Sequence, residues 1–459
     1  MSKAAEMQGM RDEDGDIRPK FVSAINAAVA AEDTRSARKL TRELHEADLA
    51  DLIELLSSES RVKLIRLLGR TFDVEALPRL DEPVRDDLME ALPNDVIAAA
   101  IRRLDTDDAL YLIENLDEID RQEILDKLSK TDRAALRRAL DYPEGAAGRL
   151  MKTEFVAIPD FWTVGQTIDH MRESRGLPDE FVEIYVTDPT FRLAGSVPLS
   201  RILRSRRDIS VADLMETDHT VLKVTDEQEE VAYKFAQYNL VSAPVTDEDG
   251  RLVGMMMVDD IVEVMHEEAQ EDMLRLGGVG DEEITDTIWS TTRSRFGWLL
   301  INLATAVLAS WIISLFEATI DQMVALAVLM PIVASMGGNA GTQTMTVSVR
   351  ALATRNLGPV NALRVIGRES AVGLINGLAF AVLMGLLAWW WFGLNELGLV
   401  IGAAMIINLL AAALAGILVP LTLDAFDIDP AVSSAVFVTT VTDVIGFFAF
   451  LGLAALWLL

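Results

Sequence analysis

After residue 295 the chain offers five long apolar runs, over 296–316, 322–349, 370–392, 397–423 and 430–459, and nothing else in its 459 residues restricts the fold as severely. About 20 residues of helix cover a hydrocarbon core of about 30 Å, and in lipid each segment must satisfy its own backbone hydrogen bonds. Five transmembrane helices are therefore expected. Between 296 and 459 the only basic residues are Arg350, Arg355, Arg364 and Arg368, which crowd the second connection, while Arg293 and Arg295 precede the first run. The first and third connections carry none. Basic residues mark the cytoplasmic side, so the amino terminus is expected inside and the carboxyl terminus outside. Trp389, Trp390 and Trp391 then form an aromatic belt at the outer interface, and the acidic fourth connection, DAFDID, becomes an inner vestibule.

The charge lies mostly in the other part of the chain. Of a net −30, all but four units belong to the first 295 residues. So acidic a half excludes nucleic acid and anionic lipid head groups as its partners, and membrane lipid remains the surroundings of the apolar runs alone. Bound cations, an ordinary solvated surface or a saline habitat each account for the excess. Cysteine is absent, and the four histidines lack ligand spacing, so disulfides and zinc chemistry are not expected. The opening MSKAAEMQGMRDEDGD is charged and has no apolar core, so the soluble half is expected in the cytoplasm.

Residues 1–20 read as a disordered polar tail. From 21 to 142 the apolar residues fall at helical spacing, and LHEADLADLIELLSSESRVKLIRLL, LPNDVIAAAIRRLDTDDALYLIENL and LDEIDRQEILDKL look like copies of one unit. An all-α helical-repeat domain is expected there. Over 143–265 a second repeat mixes strand and helix. Leu150-Met151-Lys152-Thr153 answers Leu214-Met215-Glu216-Thr217, and Tyr185-Val186-Thr187-Asp188 answers Pro244-Val245-Thr246-Asp247 at an offset of 59. Tandem α/β modules of this kind resemble a CBS pair, which senses small ligands. Residues 266–294 form a charged connector, and 295–459 hold the membrane helices. The expected fold is thus multidomain: helical repeat, tandem CBS pair and five-helix transmembrane domain.

Within the last run Asp443 sits roughly 20 Å along the helix. A carboxylate there costs about 2.5 to 3.5 kcal/mol on insertion scales. No Lys or Arg follows Arg368 to pair with it. A protonated carboxyl, a proton relay or a cation pathway remains. Thr439, Thr440 and Thr442 supply hydroxyls nearby, Gly446 permits close helix approach, and the second run adds Asn339 and Gln343 among glycines, as packing or as pore lining. Mg²⁺ keeps most of its waters and binds through one or two carboxylates, whereas Ca²⁺ takes six to eight oxygens. One Asp per chain suits hydrated Mg²⁺, and a symmetric homodimer with two Asp443 would enclose a passage. In the connector Asp259, Asp260, Glu263, Glu267, Glu268, Glu271 and Asp272 recur at close helical steps, either as an exposed acidic helix or as a site where a divalent cation relieves repulsion.

These motifs together resemble the MgtE family of bacterial magnesium channels over nearly the whole chain. The resemblance is carried by the acidic helical repeats, YPEGAAGRLMKTEFVAI, TDEDGRLVG, DDIVEVMHEEAQEDMLRLGGV, GGNAGTQ with RALATR, and DIDPAVSS with TTVTDVIG. It implies a transport protein rather than an enzyme, placed in the bacterial cytoplasmic membrane as a homodimer. Mg²⁺ is then both the transported and the regulatory ion, and bound cytoplasmic Mg²⁺ holds the connector as a plug that closes the pore. By position it makes Asp443 the pore carboxylate, Asp429 the vestibule acid, and Asp260, Glu263, Glu268, Glu271, Asp272, Glu227 and Glu229 sensor acids. There are departures: Ala435-Val436 follow Ser434, where the family carries Gly or Asn followed by Pro, and Asn239 replaces a sensor acid. Pro198, Arg201 and Met257 stand at nucleotide-contacting positions of the CBS modules, which argues against ATP.

Overall fold

The computed structural model describes residues 10–12, 15–174, 176–178, 180–279, 288–426, 428–431 and 434–458. The chain divides into two compact units, Met1–His266 and Glu267–Leu459.

The first unit opens with short helices from Pro19–Ala30 to Lys130–Leu140. Polar side chains start several of them. Asp33 accepts from the amides of Arg35 and Ser36, Ser57 from Ser60, and Ser129 from Asp132, satisfying donors that a helix end leaves over. Many acids sit in first turns, among them Asp107 and Asp108 of α1 (Thr106–Ile113), where the helix dipole favours negative charge. Part of the acidic excess is therefore structural. The inward faces, with Ile25, Leu52, Leu64, Leu88, Ile97 and Leu110, merge into one apolar core. Of the stretch read as a tail, residues 10–12 and 15–20 are described. Met10 and Ile17 are buried, and Arg11 Nε donates to Asp48 at 2.8 Å. Two apolar side chains anchor this segment on the helical domain.

Two three-stranded sheets follow. β1 (Ala157–Pro159) runs parallel to β2 (Glu183–Thr187), which pairs antiparallel with β3 (Leu193–Pro198). β4 (Leu222–Lys223), β5 (Ser242–Thr246), the helix α2 (Gln228–Tyr238) and β6 (Leu252–Met257) repeat the plan. Each copy has its irregularity at the same place, between Val186 and Thr187 and between Val245 and Thr246, as the repeat in the sequence requires. The segment before each module docks on the sheet of the other. Lys152 bridges to Met255, and Glu216 to Ser196. A methyl at Gly254 would lie 2.9 Å from the Lys152 carbonyl, and one at Gly195 would lie 2.6 Å from the Glu216 carbonyl, so only glycine admits these strands.

The helix α3 (Val258–Leu276) leaves the second module and continues into the second unit. Residues 280–287 of the expected connector lie outside the described residues. Five helices long and apolar enough to cross a membrane follow: α4 (Ile288–Ser314), α5 (Ala325–Ala353), α6 (Ala362–Phe392), α7 (Asn395–Asp424) and α8 (Ser434–Trp457). α7 is the hub, packing against α5, α6 and α8. Lipid supplies no hydrophobic drive between helices, so close packing through small residues must do so. Gly385 of α6 meets Gly398 of α7, where an added methyl would lie 3.0 Å from the opposing carbonyl. Trp389, Trp390 and Trp391 are exposed at the end of α6.

Candidate cation pathway and associated acids

α8 carries Asp443 one turn from Thr439 and Thr440, whose hydroxyls donate to the Ala435 and Val436 carbonyls of the same helix, while the adjacent Thr442 donates to Thr439 and is fully buried. Their protons are spent, so each remaining oxygen presents lone pairs, the property a cation or its water shell requires. Asp443 is half-buried and has no hydrogen bond or ion pair among the described residues. α5 approaches this face through glycines: a methyl at Gly338 would lie 3.9 Å from Thr439 Cγ2, and one at Gly341 would lie 2.5 Å from Val438. Gly446 packs inside the bundle.

On α5, Ser335, Asn339, Thr342, Thr346 and Arg350 are exposed and recur at steps of three and four, forming one polar stripe along a membrane helix. Gln343 takes a different position. With Arg368, Glu369 and Asn376 it lines a cavity of about 230 Å³ between α5, α6 and α7. Glu369 is 8 % exposed, and its carboxylate lies 3.3 Å from Arg368 Nε. The sequence pattern began the third span at residue 370; the helix starts at Ala362, which draws Glu369 into the bundle.

At the end of α3, Arg275 Nη1 donates to Asp429 Oδ2 at 2.5 Å and also pairs with Glu271. Asp429 Oδ1 accepts from the Ala431 amide at 2.8 Å. Leu276 packs with Met345 and Val349 of α5, Ala415 of α7, Val438 of α8 and Ala431 of the connection between the last two. The acid expected in the vestibule therefore holds a cationic side chain of the connector. Sequence reasoning passed over Arg275, although it is the only Lys or Arg between Val258 and Gly280.

Within the first unit, Lys152 Nζ lies 3.0 Å from Asp260 Oδ1, 3.8 Å from Asp107 Oδ2 and 3.9 Å from Asp105 Oδ2. Burial pushes the Asp107 carboxyl well above its ordinary range and the Asp108 carboxyl up to about 6, with Lys152 opposing both shifts. Burial raises Asp260 as well. Burial alone would lower the Lys152 ammonium, but Asp107 and Asp260 overcome it and raise its pKa. The docking of Lys152 on β6 brings this lysine to the start of α3; the sequence showed the repeat but not the ion cluster it builds.

The other expected sensor acids are more open. Glu263 is exposed on α3, while Glu268, Glu271 and Asp272 are half-buried. Glu227 precedes α2, and Glu229 lies in its first turn, both exposed. Asn239 ends α2 at φ 52° in the left-handed region, which Asn adopts more readily than most residues. Among the described residues no group of three His, Asp or Glu side chains could hold a metal ion. A Mg²⁺ ion that keeps its waters and touches one or two carboxylates needs no such group.

Comparison with known proteins places these features. A family of divalent cation transporters matches residues 330–453, the MgtE intracellular N domain matches 44–145, and a CBS domain matches 211–267. The chain is 32 % identical over 452 residues to a magnesium transporter MgtE of Thermus thermophilus, covering 96 % of this chain and 99 % of the relative. It is 28 % identical over 421 residues to a magnesium transporter MgtE of Bacillus subtilis, covering 92 % and 93 %. A solved cytosolic domain of the Mg²⁺ channel MgtE in complex with ATP is similar at 30 % identity and a TM-score of 0.49, spanning 53 % of this chain and 99 % of that one. Membrane helices, CBS pair and acidic helical domain together make this chain a multipass membrane protein, not an enzyme, and it belongs to the MgtE family of magnesium transporters.

Proposed function

We propose that this chain is a Mg²⁺-selective channel of the bacterial cytoplasmic membrane, assembled as a homodimer and closed when cytoplasmic Mg²⁺ binds its N-terminal and CBS domains. The observation that carries this reading is Asp443, a membrane carboxylate without a protein partner among the described residues, set beside hydroxyl oxygens that can only accept. An unpaired charge at that depth marks an ion path by default. The exposed polar stripe of α5 supports the dimer, since it is costly against lipid and finds cover against a second copy. With the amino terminus in the cytoplasm and the carboxyl terminus outside, Asp429 stands at the inner mouth.

Gating follows from the acids of α3. Glu268, Glu271 and Asp272 of the second unit, and Asp260, Glu263, Glu227 and Glu229 of the first, are the acids that take up cytoplasmic Mg²⁺, a hydrated divalent cation relieving the repulsion within each set. Arg275 on Asp429 and Leu276 against α5, α7 and α8 support α3 as the element that closes the mouth. ATP accompanies the cytosolic domain of the solved relative. Here Arg201 already donates to the Leu214 carbonyl at 3.1 Å and to Glu216 at 2.5 Å, and Pro198 and Met257 offer no hydroxyl, which supports the reading that the CBS pair of this chain binds ATP poorly.

A second reading, exchange of the ion for protons or Na⁺, is favoured by Glu369, a further buried carboxylate of the membrane helices. Purified protein in liposomes separates the two. Mg²⁺ uptake driven by its own gradient alone, and lost in Asp443→Ala, supports the channel; uptake that requires an imposed proton or Na⁺ gradient supports exchange.

A further inference from the structure

Asn408 stands near the middle of α7, the most buried of the membrane helices, and is 0 % exposed. Its Nδ2 donates to the Val333 carbonyl of α5 at 2.7 Å, and its Oδ1 is buried without a hydrogen-bond partner among the described residues. Two glycines hold the carboxamide between them. A methyl added at Gly337 of α5 would lie 2.3 Å from Nδ2, and one added at Gly446 of α8 would lie 2.9 Å from it. One amide therefore spaces three helices at one level. Gly446 is one turn beyond Asp443, and Gly338, next to Gly337, faces Thr439. That level is the one at which the lone membrane carboxylate sits.

A leucine would fill the same space and bury no unpaired oxygen, and an orphan carbonyl is costly where no water reaches. Asparagine does what leucine cannot: it ties α7 to the α5 backbone through a directed bond while its two faces set how near α5 and α8 come. We propose that Asn408 is a positioning residue that sets the separation of α5 and α8 beside Asp443, and through it the size of the hydrated cation that passes. The proposal rests on Asp443 as the carboxylate of the path. Mg²⁺ demands near-ideal octahedral geometry and keeps most of its water, whereas Ca²⁺ accepts six to eight oxygens in flexible geometry, so a passage whose walls are no longer held at one separation discriminates less against Ca²⁺.

The test uses the full chain in liposomes, with Mg²⁺ and Ca²⁺ uptake read separately. Asn408→Leu is expected to keep Mg²⁺ uptake while the ratio of Mg²⁺ to Ca²⁺ uptake falls about tenfold, the scale of a strong interhelical hydrogen bond. Gly337→Ala alone is expected to lose uptake, because its methyl meets the amide. Gly337→Ala combined with Asn408→Ala is expected to recover uptake at the lowered ratio. An unchanged ratio in Asn408→Leu, or a double variant that stays inactive, overturns the proposal. Should Asn408→Leu not elute as folded protein in detergent, the double variant decides by the same criterion. Asp443→Asn is the control. If it still conducts, the reading of the path fails and this proposal with it; if it is inactive while Asn408→Leu keeps the ratio, only the proposal fails.

Discussion

At the scale of single residues, Lys152 and Arg275 each stand among acids. Lys152 neutralises part of a cluster formed by Asp105, Asp107 and Asp260, and its side chain is only 12 % exposed. Removing one partner of a buried pair typically costs about 3 kcal/mol or more, because the opposite charge is left behind. Lys152→Ala is therefore expected to lower the melting temperature clearly in a chelator, and millimolar Mg²⁺ is expected to restore part of the loss. A melting temperature unchanged in chelator would show that the acids need no cation there. Arg275 plays the corresponding part at Asp429. This pair is about one-third exposed, so its loss is worth at most about 1 kcal/mol, a factor of about five in an equilibrium. Arg275→Ala is expected to raise uptake up to that factor at cytoplasmic Mg²⁺ that nearly closes the wild type, with little change at low Mg²⁺. Asp443 stands out in the sequence as a lone carboxylate in an apolar run, and the structure leaves it half-buried without a partner among the described residues. Lys152, Arg275 and Asn408 were not legible there, since each gains its meaning from a partner brought close only by the fold.

At the scale of elements, α1 and α3 respond to charge. Burial raises the folded-state pKa of Asp108 to about 6, above its ordinary carboxylate value, and pushes Asp107 well above its own ordinary range. Groups raised in this way bind protons more tightly in the folded protein, so stability is gained as pH falls through about 6 and lost as it rises through the same range. Thermal melting without divalent cations is expected to show higher stability at pH 5 than at pH 7.5, and Asp107→Asn with Asp108→Asn should flatten that dependence. A dependence that the double variant leaves unaltered would remove these two acids as its cause. For α3, millimolar Mg²⁺ is expected to protect the 258–279 segment from protease. Replacement of Glu268, Glu271 and Asp272 by Ala is expected to weaken that protection; equal cleavage with and without Mg²⁺ counts against a cation-held connector. Helices and strands were readable from periodicity and from the repeated motifs, yet ends were not. The third membrane helix begins at Ala362 because the arginine-rich turn leading into it, 362–369, is itself helical, a feature that hydropathy alone does not register.

At the scale of the whole molecule, a charge asymmetry becomes an arrangement. The acidic half folds as helical domain and CBS pair, and the apolar part as a bundle around α7. This division was readable because five apolar runs and a −30 chain cannot share one core. The placement of the polar residues of α5 was less so, since Gln343 turns toward Glu369 while the exposed polar stripe runs through Asn339 and Thr342, a difference of helical face that spacing in a glycine-rich segment does not resolve. The central claim is that Asp443 serves a passive Mg²⁺ path closed from the cytoplasmic side. Current across a planar bilayer holding the purified protein tests it most directly. The account predicts a Mg²⁺ current without any other ion gradient, suppressed as Mg²⁺ on the side of the soluble domains rises to millimolar levels, and absent in Asp443→Asn. A current that persists in Asp443→Asn, or one indifferent to Mg²⁺ on that side, would contradict it.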